Sequence, residues 1–207
     1  MSYLPGKFVW FEHVSAEPTK ARAFYEPLFG WHVERMPMGQ ASYDMILCGQ
    51  DGIGGIPPAQ AGARAHWISY LSVPDVDKAH AKALAAGAKS LQAPTDFAPV
   101  GRGAKLSDPT GAAFWVWKSA DGDRADAEQA IPGSWAWNEL MTQDAKTALA
   151  FYEKAFGFTH DTMDMGEQGK YYILKSADGK GRAGLAQASD PKAPAAWMPY
   201  VHVADCD

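Results

Sequence analysis

The chain has two cysteines in 207 residues, Cys48 and Cys206, and they lie far apart without metal-type spacing. That excludes a disulfide-dense scaffold and a cysteine metal cluster, and it points to two unpaired thiols in a reducing compartment. No basic, apolar, small-residue leader precedes "MSYLPGKFVWFE", and no apolar run approaches the roughly 20 residues needed to cross a bilayer. A cytoplasmic protein is the expectation. Lysine and arginine form no cluster and the net charge is −5, so neither nucleic acid nor an anionic membrane surface is an expected partner. The six histidines form neither an HxH nor a helical HExxH pattern. What is present is 47% hydrophobic and 12% aromatic residues, enough for one large core or two small ones without staples. A small molecule is the default partner.

The organisation is repetitive. "WFEHVSAEPTKARAFYEPLFGW", Trp10 to Trp31, returns as "WNELMTQDAKTALAFYEKAFGF", Trp137 to Phe158. In the first copy "FVWFEHV" reads as a strand, Ser15 as a helix cap and Pro18 as a first-turn residue. Ala21, Phe24, Tyr25 and Leu28 make one apolar helical stripe, ended by Gly30. In the second copy Thr142 takes the capping place, Ala148, Phe151, Tyr152 and Ala155 the stripe, and Gly157 the stop. Short strand-like pieces follow each helix, giving a βαβββ unit. "HWISYLSVPDVD", His66 to Asp77, returns as "AWMPYVHVADCD", Ala196 to Asp207; the first instance continues through a helix bearing Val76, Ala79, Ala83 and Leu84 into three more strands. The expected domains are residues 1–118, with βαβββ units over about 7–60 and 65–118, and residues 134–207, one unit plus the first strand of another. Between them residues 119–133 are polar and Gly/Pro-punctuated, as a linker should be. A third unit without a paired fourth would expose apolar surface, so either further polypeptide or a second chain, in a homo-oligomer built through paired units, is expected to cover it. Two glycine-rich stretches, "GQDGIGGIPP" at 49–58 and "SADGKGRAG" at 176–184, read as turns and not as phosphate cradles.

The paired βαβββ units, the "AFYExxFGW" helix ending and "VGRGAKLSDPTGAAFWVW" together resemble the vicinal oxygen chelate superfamily, which includes glyoxalase I, extradiol dioxygenases and bleomycin-resistance proteins. The two "WxE" openings look like a tandem glyoxalase-like subgroup within it. The resemblance implies an α+β fold in which paired βαβββ units form cup-shaped, partly closed mixed sheets with helices on the outer faces. It also implies where metal ligands would project into the cup. Those positions fall on Trp10, Trp137, Ile68, Met198 and Trp115, none a good ligand for a hard or borderline divalent metal. No cofactor and no metal residue is therefore expected, with a divalent metal held by other residues as the alternative.

Strand alternation places Glu12 beside Trp10, Glu139 beside Trp137, Tyr70 beside Ile68, and Trp117 beside Trp115 on the inward face. His13 has the opposite parity and should pack under its helix. A carboxylate against indole rings loses hydration, which suits a general acid or base, so Glu12 and Glu139 are the catalytic candidates. Trp10, Tyr70, Trp115, Trp117 and Trp137 are the ligand-binding candidates, with Arg102 as a cation able to clamp an anion. The bland readings are carboxylates that only cap or pair, an arginine that stabilises a rim, and aromatics that form ordinary core. The functional expectation is a glyoxalase/bleomycin-resistance-like protein whose metal-free aromatic cup binds a small organic molecule. The alternative is a metal-independent or divalent-metal-dependent lyase, isomerase or dioxygenase of the same superfamily.

Overall fold

A computed structural model describes residues 2–38, 41–58, 60–62 and 64–207. The elements follow the sequence repeat: β1 (Phe8–Val14), α1 (Pro18–Phe29), β2 (His32–Met38), β3 (Ala41–Cys48) and β4 (Asp51–Ile56). The second βαβββ unit is β5 (His66–Ser72), α2 (Val76–Ala85), β6 (Lys89–Phe97), β7 (Gly101–Ser107) and β8 (Ala113–Ser119). The third is β9 (Trp135–Thr142), α3 (Ala145–Phe156), β10 (Thr159–Asp164), β11 (Lys170–Lys175) and β12 (Gly181–Gln187), and β13 (Ala196–Val201) opens the fourth. The strands form two mixed sheets, in the orders β2-β3-β4-β1-β5-β8-β7-β6 and β10-β11-β12-β9-β13. Within each complete unit the first strand pairs in parallel with the last, and the others pair antiparallel.

The helix starts differ from the sequence expectation by two residues. The cap of α3 is Asp144, whose carboxylate accepts from the Thr147 amide at 3.0 Å, while Thr142 Oγ1 receives the Asp144 amide one turn earlier. Glu17 holds the matching place before α1 and makes no side-chain cap, and Ser15 Oγ instead receives the Glu17 amide at 2.9 Å. One extra methylene separates the two, because an aspartate folds back onto the first turn more readily than a glutamate. Pro18 does open α1, and Gly30 and Gly157 end their helices in left-handed conformation, as the spacing predicts. The stretch 49–58 is not a turn: only Gly49 and Gln50 turn, and Asp51–Ile56 is strand β4.

The chain divides into two compact units, each drawn from separate stretches. One comprises Met1–Val9, Tyr70–Asp126 and Trp137–Met198. Here α2 packs on α3, burying Ala148, Phe151, Tyr152 and Ala155 with Phe114. Val76, Ala79 and Ala83 of α2 are buried, whereas Leu84 is exposed. Part of the linker is fastened in this unit: Asp126 accepts from Lys7, Lys180 and Arg182, and these cations hold its carboxyl well below the usual range against burial, which acts the other way. The other unit comprises Trp10–Ser69, Ala127–Ala136 and Pro199–Asp207. Its core is Trp31, Val33, Ile46, Cys48 and Ile56, flanked by Tyr25, Phe29, Trp67 and Trp135. In α1 only Ala21 of the apolar stripe is buried; Phe24 and Leu28 are 61% and 54% exposed.

His13 lies under α1 as its parity requires, edge-on to Tyr25 and Trp67. Among the described residues its Nδ1 has no hydrogen-bond partner, and burial first, then the nearby His66, holds its pKa below the ordinary 6.5. The unfolded chain therefore takes up this proton first as pH falls. Stability contributed by neutral His13 is complete above 6.5 and is lost as pH drops towards the folded value. The counterpart of His13 in the third unit is the buried Leu140. Urea unfolding is expected to show a midpoint that falls between about pH 7.5 and about pH 5.5, and His13→Leu should make that fall smaller. An unchanged pH dependence in the variant would mean that His13 is not the titrating group.

Candidate functional site

Trp10 and Glu12 occupy alternate positions of β1 and so share one face of the sheet. Glu12 stands opposite Gly55 of β4, and Gly55 stands opposite Met45 of β3. Tyr43 lies two residues before Met45, on the same face. Its ring reaches from β3 across β4 to β1, a span of roughly 9–10 Å for two strand spacings. There Tyr43 Oη accepts from Trp10 Nε1 at 2.9 Å and donates to Glu12 Oε1 at 2.8 Å. The crossing requires a glycine beneath it: a Cβ on Gly55 would sit 1.9 Å from Tyr43 Oη. Burial, and then the Glu12 carboxylate, push the Tyr43 hydroxyl well above the ordinary phenol value. It therefore stays protonated and remains the donor.

The third unit builds the same arrangement. Glu139 of β9 stands opposite Gly184 of β12, which stands opposite Ile173 of β11, and Tyr171 lies two residues before Ile173. Trp137 Nε1 donates to Tyr171 Oη at 2.8 Å, and Tyr171 Oη donates to Glu139 Oε2 at 2.7 Å. A Cβ on Gly184 would lie 1.8 Å from Tyr171 Oη. The indoles also lie over a second glycine each: Cη2 of Trp10 and of Trp137 would be 3.6 Å from a Cβ on Gly52 and on Gly181. All four aromatic and acidic groups (Trp10, Glu12, Trp137, Glu139) are half-buried.

The second unit fills the corresponding face by exchanging the partners. Tyr70 of β5 takes the place of Glu12, Trp115 of β8 the place of Gly55, and Gly103 of β7 the place of Tyr43. The glycine and the aromatic have changed strands. Tyr70 and Trp115 stack with centroids 5.3 Å apart at 11°, Trp117 meets Tyr70 edge-on, and Phe97 packs against both tryptophans. Tyr70 and Trp115 are buried and Trp117 is half-buried. Gly101 and Gly103 again lie under an indole, with a Cβ on either falling within 2.7 Å of the Trp117 ring.

Arg102 is not on this face. Strand alternation turns it opposite to Gly101 and Gly103, towards α2, where Asp77 holds it bidentately at 2.9 and 2.8 Å and Asp96 at 2.8 Å. Those carboxylates, Asp77 foremost, raise its pKa further. Sequence reasoning missed Tyr43, Tyr171, Phe97 and the glycines they require. One signal was available: Tyr43 in "SYDMILC" and Tyr171 in "KYYILKS" hold the same place in the repeated strand.

Mixed sheets of βαβββ units define the vicinal oxygen chelate class of fold, and the solved structures agree. A 4-hydroxymandelate synthase variant from Streptomyces coelicolor superposes with a TM-score of 0.60 at 17% identity, over 92% of this chain and 65% of that one. A Mn(II)-bound glyoxalase from Novosphingobium aromaticivorans gives 0.58 at 17%, over 91% of this chain and 63% of that one. The chain thus spans a little under two thirds of each of these proteins. The model of the glyoxalase-like domain matches residues 10–117, and the chain belongs to that family. CFP32 of Mycobacterium bovis, provisionally named a glyoxylase, is 31% identical over 99% of this chain and 80% of its own length. The anthracycline biosynthesis protein DauV of a Streptomyces species is 28% identical, over 81% of this chain and 66% of its own length.

The fold class implies a metal, and the residues at the matching positions do not fit one. An indole offers no in-plane lone pair, and the N–H groups of Trp10 and Trp137 are already given to tyrosines. Ile68 is buried hydrocarbon, Trp115 is stacked on Tyr70, and Met198 offers only a thioether. Among the described residues, no group of three or more His, Cys, Asp or Glu comes together in a way that could hold a metal ion.

Gly55→Ala and Gly184→Ala should each expel a tyrosine from its crossing and lower stability by about 1–3 kcal/mol in urea unfolding. Gly52→Ala should cost less, because its nearest neighbour, Met45 Sδ at 3.0 Å, is the end of a flexible side chain. Equal stability of Gly55→Ala and the parent would show that Tyr43 does not cross the strand.

Proposed function

We propose that the chain binds a small, flat organic molecule against its indoles, with Glu12 and Glu139 taking the polar hydrogen of that ligand. The observation that carries this reading is the Trp–Tyr–Glu chain of hydrogen bonds, present in the first unit and again in the third. A tyrosine hydroxyl pins the indole by its N–H edge, and a glycine strand lies under the ring. An aromatic surface held in one orientation loses little entropy when a planar ligand stacks on it. Two Streptomyces relatives are named as anthracycline biosynthesis proteins, and an anthracycline is itself a flat fused-ring molecule. The buried Tyr70 and Trp115 and the half-buried Phe97 and Trp117 support the second unit as an aromatic wall with no carboxylate at the place of Glu12.

A second reading is favoured by the tyrosine–carboxylate pair. Glu12 or Glu139 would act as a general base on a carbonyl or enol ligand seated there, independently of metal. The carboxylate is oriented by a donor that stays protonated, as a positioned base requires.

Titration with 2-naphthol, followed by tryptophan fluorescence, should show saturable quenching, and naphthalene should bind at least about tenfold more weakly. Trp10→Ala combined with Trp137→Ala should remove the quenching. Glu12→Gln with Glu139→Gln should reduce the preference for the hydroxylated compound; if the second reading holds, it should also abolish turnover of an enolisable carbonyl. Stoichiometric tightly held divalent metal, whose removal abolishes ligand binding, would overturn both readings.

A further inference from the structure

Register lines up one residue from each strand of a unit, and directly paired residues of neighbouring strands point to the same face. In the first unit the row through Glu12 is Glu12, Gly55, Met45 and Glu34, running from β1 through β4 and β3 to β2. In the third unit it is Glu139, Gly184, Ile173 and Asp161. In the second it is Tyr70, Trp115, Lys105 and Gln92. Two of these rows have a carboxylate at either end of an apolar middle. The second has none, and its single charge is an ammonium where the others carry Met45 and Ile173.

The rest of this face in the second unit keeps the same sign. Asp96 is the only acidic residue of β6, β7 and β8, and the register sets it opposite Arg102, on the other face. Lys89 stands opposite Ser107 at the edge strand and is exposed, which adds a second cation two residues along from Lys105. The carboxylate of Asp123 reaches Ser72, which pairs with Trp117 in the next row, and there the Ser72 hydroxyl and the Leu4 amide donate to it. Lys105 is half-buried, and the residue opposite it, Trp115, is stacked on Tyr70. An ammonium set among rings is attracted to their faces and gives up part of its hydration, which an anion restores. Gln92, on the other side of Lys105, is half-buried and carries an amide that can donate as well. Tyr70, Gln92, Phe97, Lys105, Trp115 and Trp117 all belong to one compact unit.

We propose that this face of the second unit is a binding site for a flat aromatic carboxylate. Its ring would lie along Trp117 and the edge of the Tyr70–Trp115 stack, and its charge would be met by Lys105, with the Gln92 amide donating beside it. The inference rests on the proposed function for the use of indoles as a ligand surface, and goes beyond it in the sign of the ligand. The first and third rows repel an anion with two carboxylates each; the second attracts it. Lys105 is thus a specificity-determining residue: Met45 and Ile173, in the same place, offer contact without charge.

The test compares 2-naphthoate, 2-naphthol and naphthalene by tryptophan fluorescence at about pH 7, where the first is an anion and the others are neutral. The parent should bind 2-naphthoate, with an affinity that falls several-fold as sodium chloride rises from about 0.05 to about 0.5 M. Lys105→Met keeps the length of the side chain and removes its charge. It should weaken 2-naphthoate at least about tenfold and abolish most of the salt dependence, while 2-naphthol stays within about twofold. Lys105→Arg should keep most of the 2-naphthoate affinity. Circular dichroism and the urea midpoint check that each variant is folded, and the salt dependence of the parent needs no variant at all. Binding of 2-naphthoate that is insensitive to salt, or that survives Lys105→Met unchanged, would overturn this inference, as would a parent that binds 2-naphthol but not 2-naphthoate. Each of those results leaves the proposed function standing. A parent that binds none of the three compounds would overturn both.

Discussion

The tyrosine that passes over a glycine to reach the next strand but one sets the terms for the rest of this structure. Neighbouring strands hold their side chains about 5 Å apart on one face, so a residue on β3 ordinarily meets β4 and not β1. Removing the side chain of Gly55 opens a lane just wide enough for Tyr43, and Gly184 does the same for Tyr171. Glycine in a strand interior forfeits conformational entropy and packing. The loss is contained because β4 and β12 are internal strands, hydrogen-bonded on both sides, so the ladder holds the backbone that the side chains no longer do. The return is a hydrogen-bonded chain that fixes an indole and a carboxylate together.

The second unit shows that the constraint concerns volume and not residue identity. One large ring and one missing side chain must share two adjacent strands. In the first and third units the ring is a tyrosine on the third strand and the gap lies on the fourth; in the second the gap is Gly103 and the ring is Trp115. The same fold is satisfied either way. The chemistry is not, because the exchange comes with Tyr70 where the other units carry glutamate. Family membership, which the match over residues 10–117 establishes, thus leaves the chemistry to be decided unit by unit.

Much of this was legible in the sequence, and the failures have identifiable causes. Repeats, strand parity and the left-handed glycines at helix ends are local properties, and they gave the βαβββ plan, the shared face of Trp10 and Glu12, and the buried His13. Helix starts depended on whether a side chain reaches back to an amide, which separates Asp144 from Glu17 although both precede a helix by one residue. The stretch 51–56 looks like a turn because glycine is a turn residue; Gly55 answers to Tyr43, Gly54 to the Phe11 backbone and Gly52 to Met45 and Trp10, and no window of local propensity contains those contacts. Arg102 was expected near the aromatics only as a nearby cation, and the register with β8 turns it to the face opposite Gly103. Periodicity marked the stripe on α1 correctly as apolar, but a stripe does not say what lies against it.

The direction of the hydrogen bonds limits what the two Trp–Tyr–Glu sites can do. An indole N–H can only donate, so the tyrosine oxygen must accept from it and pass its own proton onward to the glutamate. Burial and the adjacent carboxylate both oppose ionisation of Tyr43, so the tyrosine does not act as a base and the polarity of the chain does not reverse. The glutamate is consequently the terminal acceptor in each site. A ligand that brings a hydrogen to Glu12 competes with, or is added to, a tyrosine proton that is already there, whereas a ligand that brings a second negative charge meets repulsion. On the proposed function, selectivity for neutral or proton-donating planar molecules over anionic ones is the expectation that the order of these three residues carries.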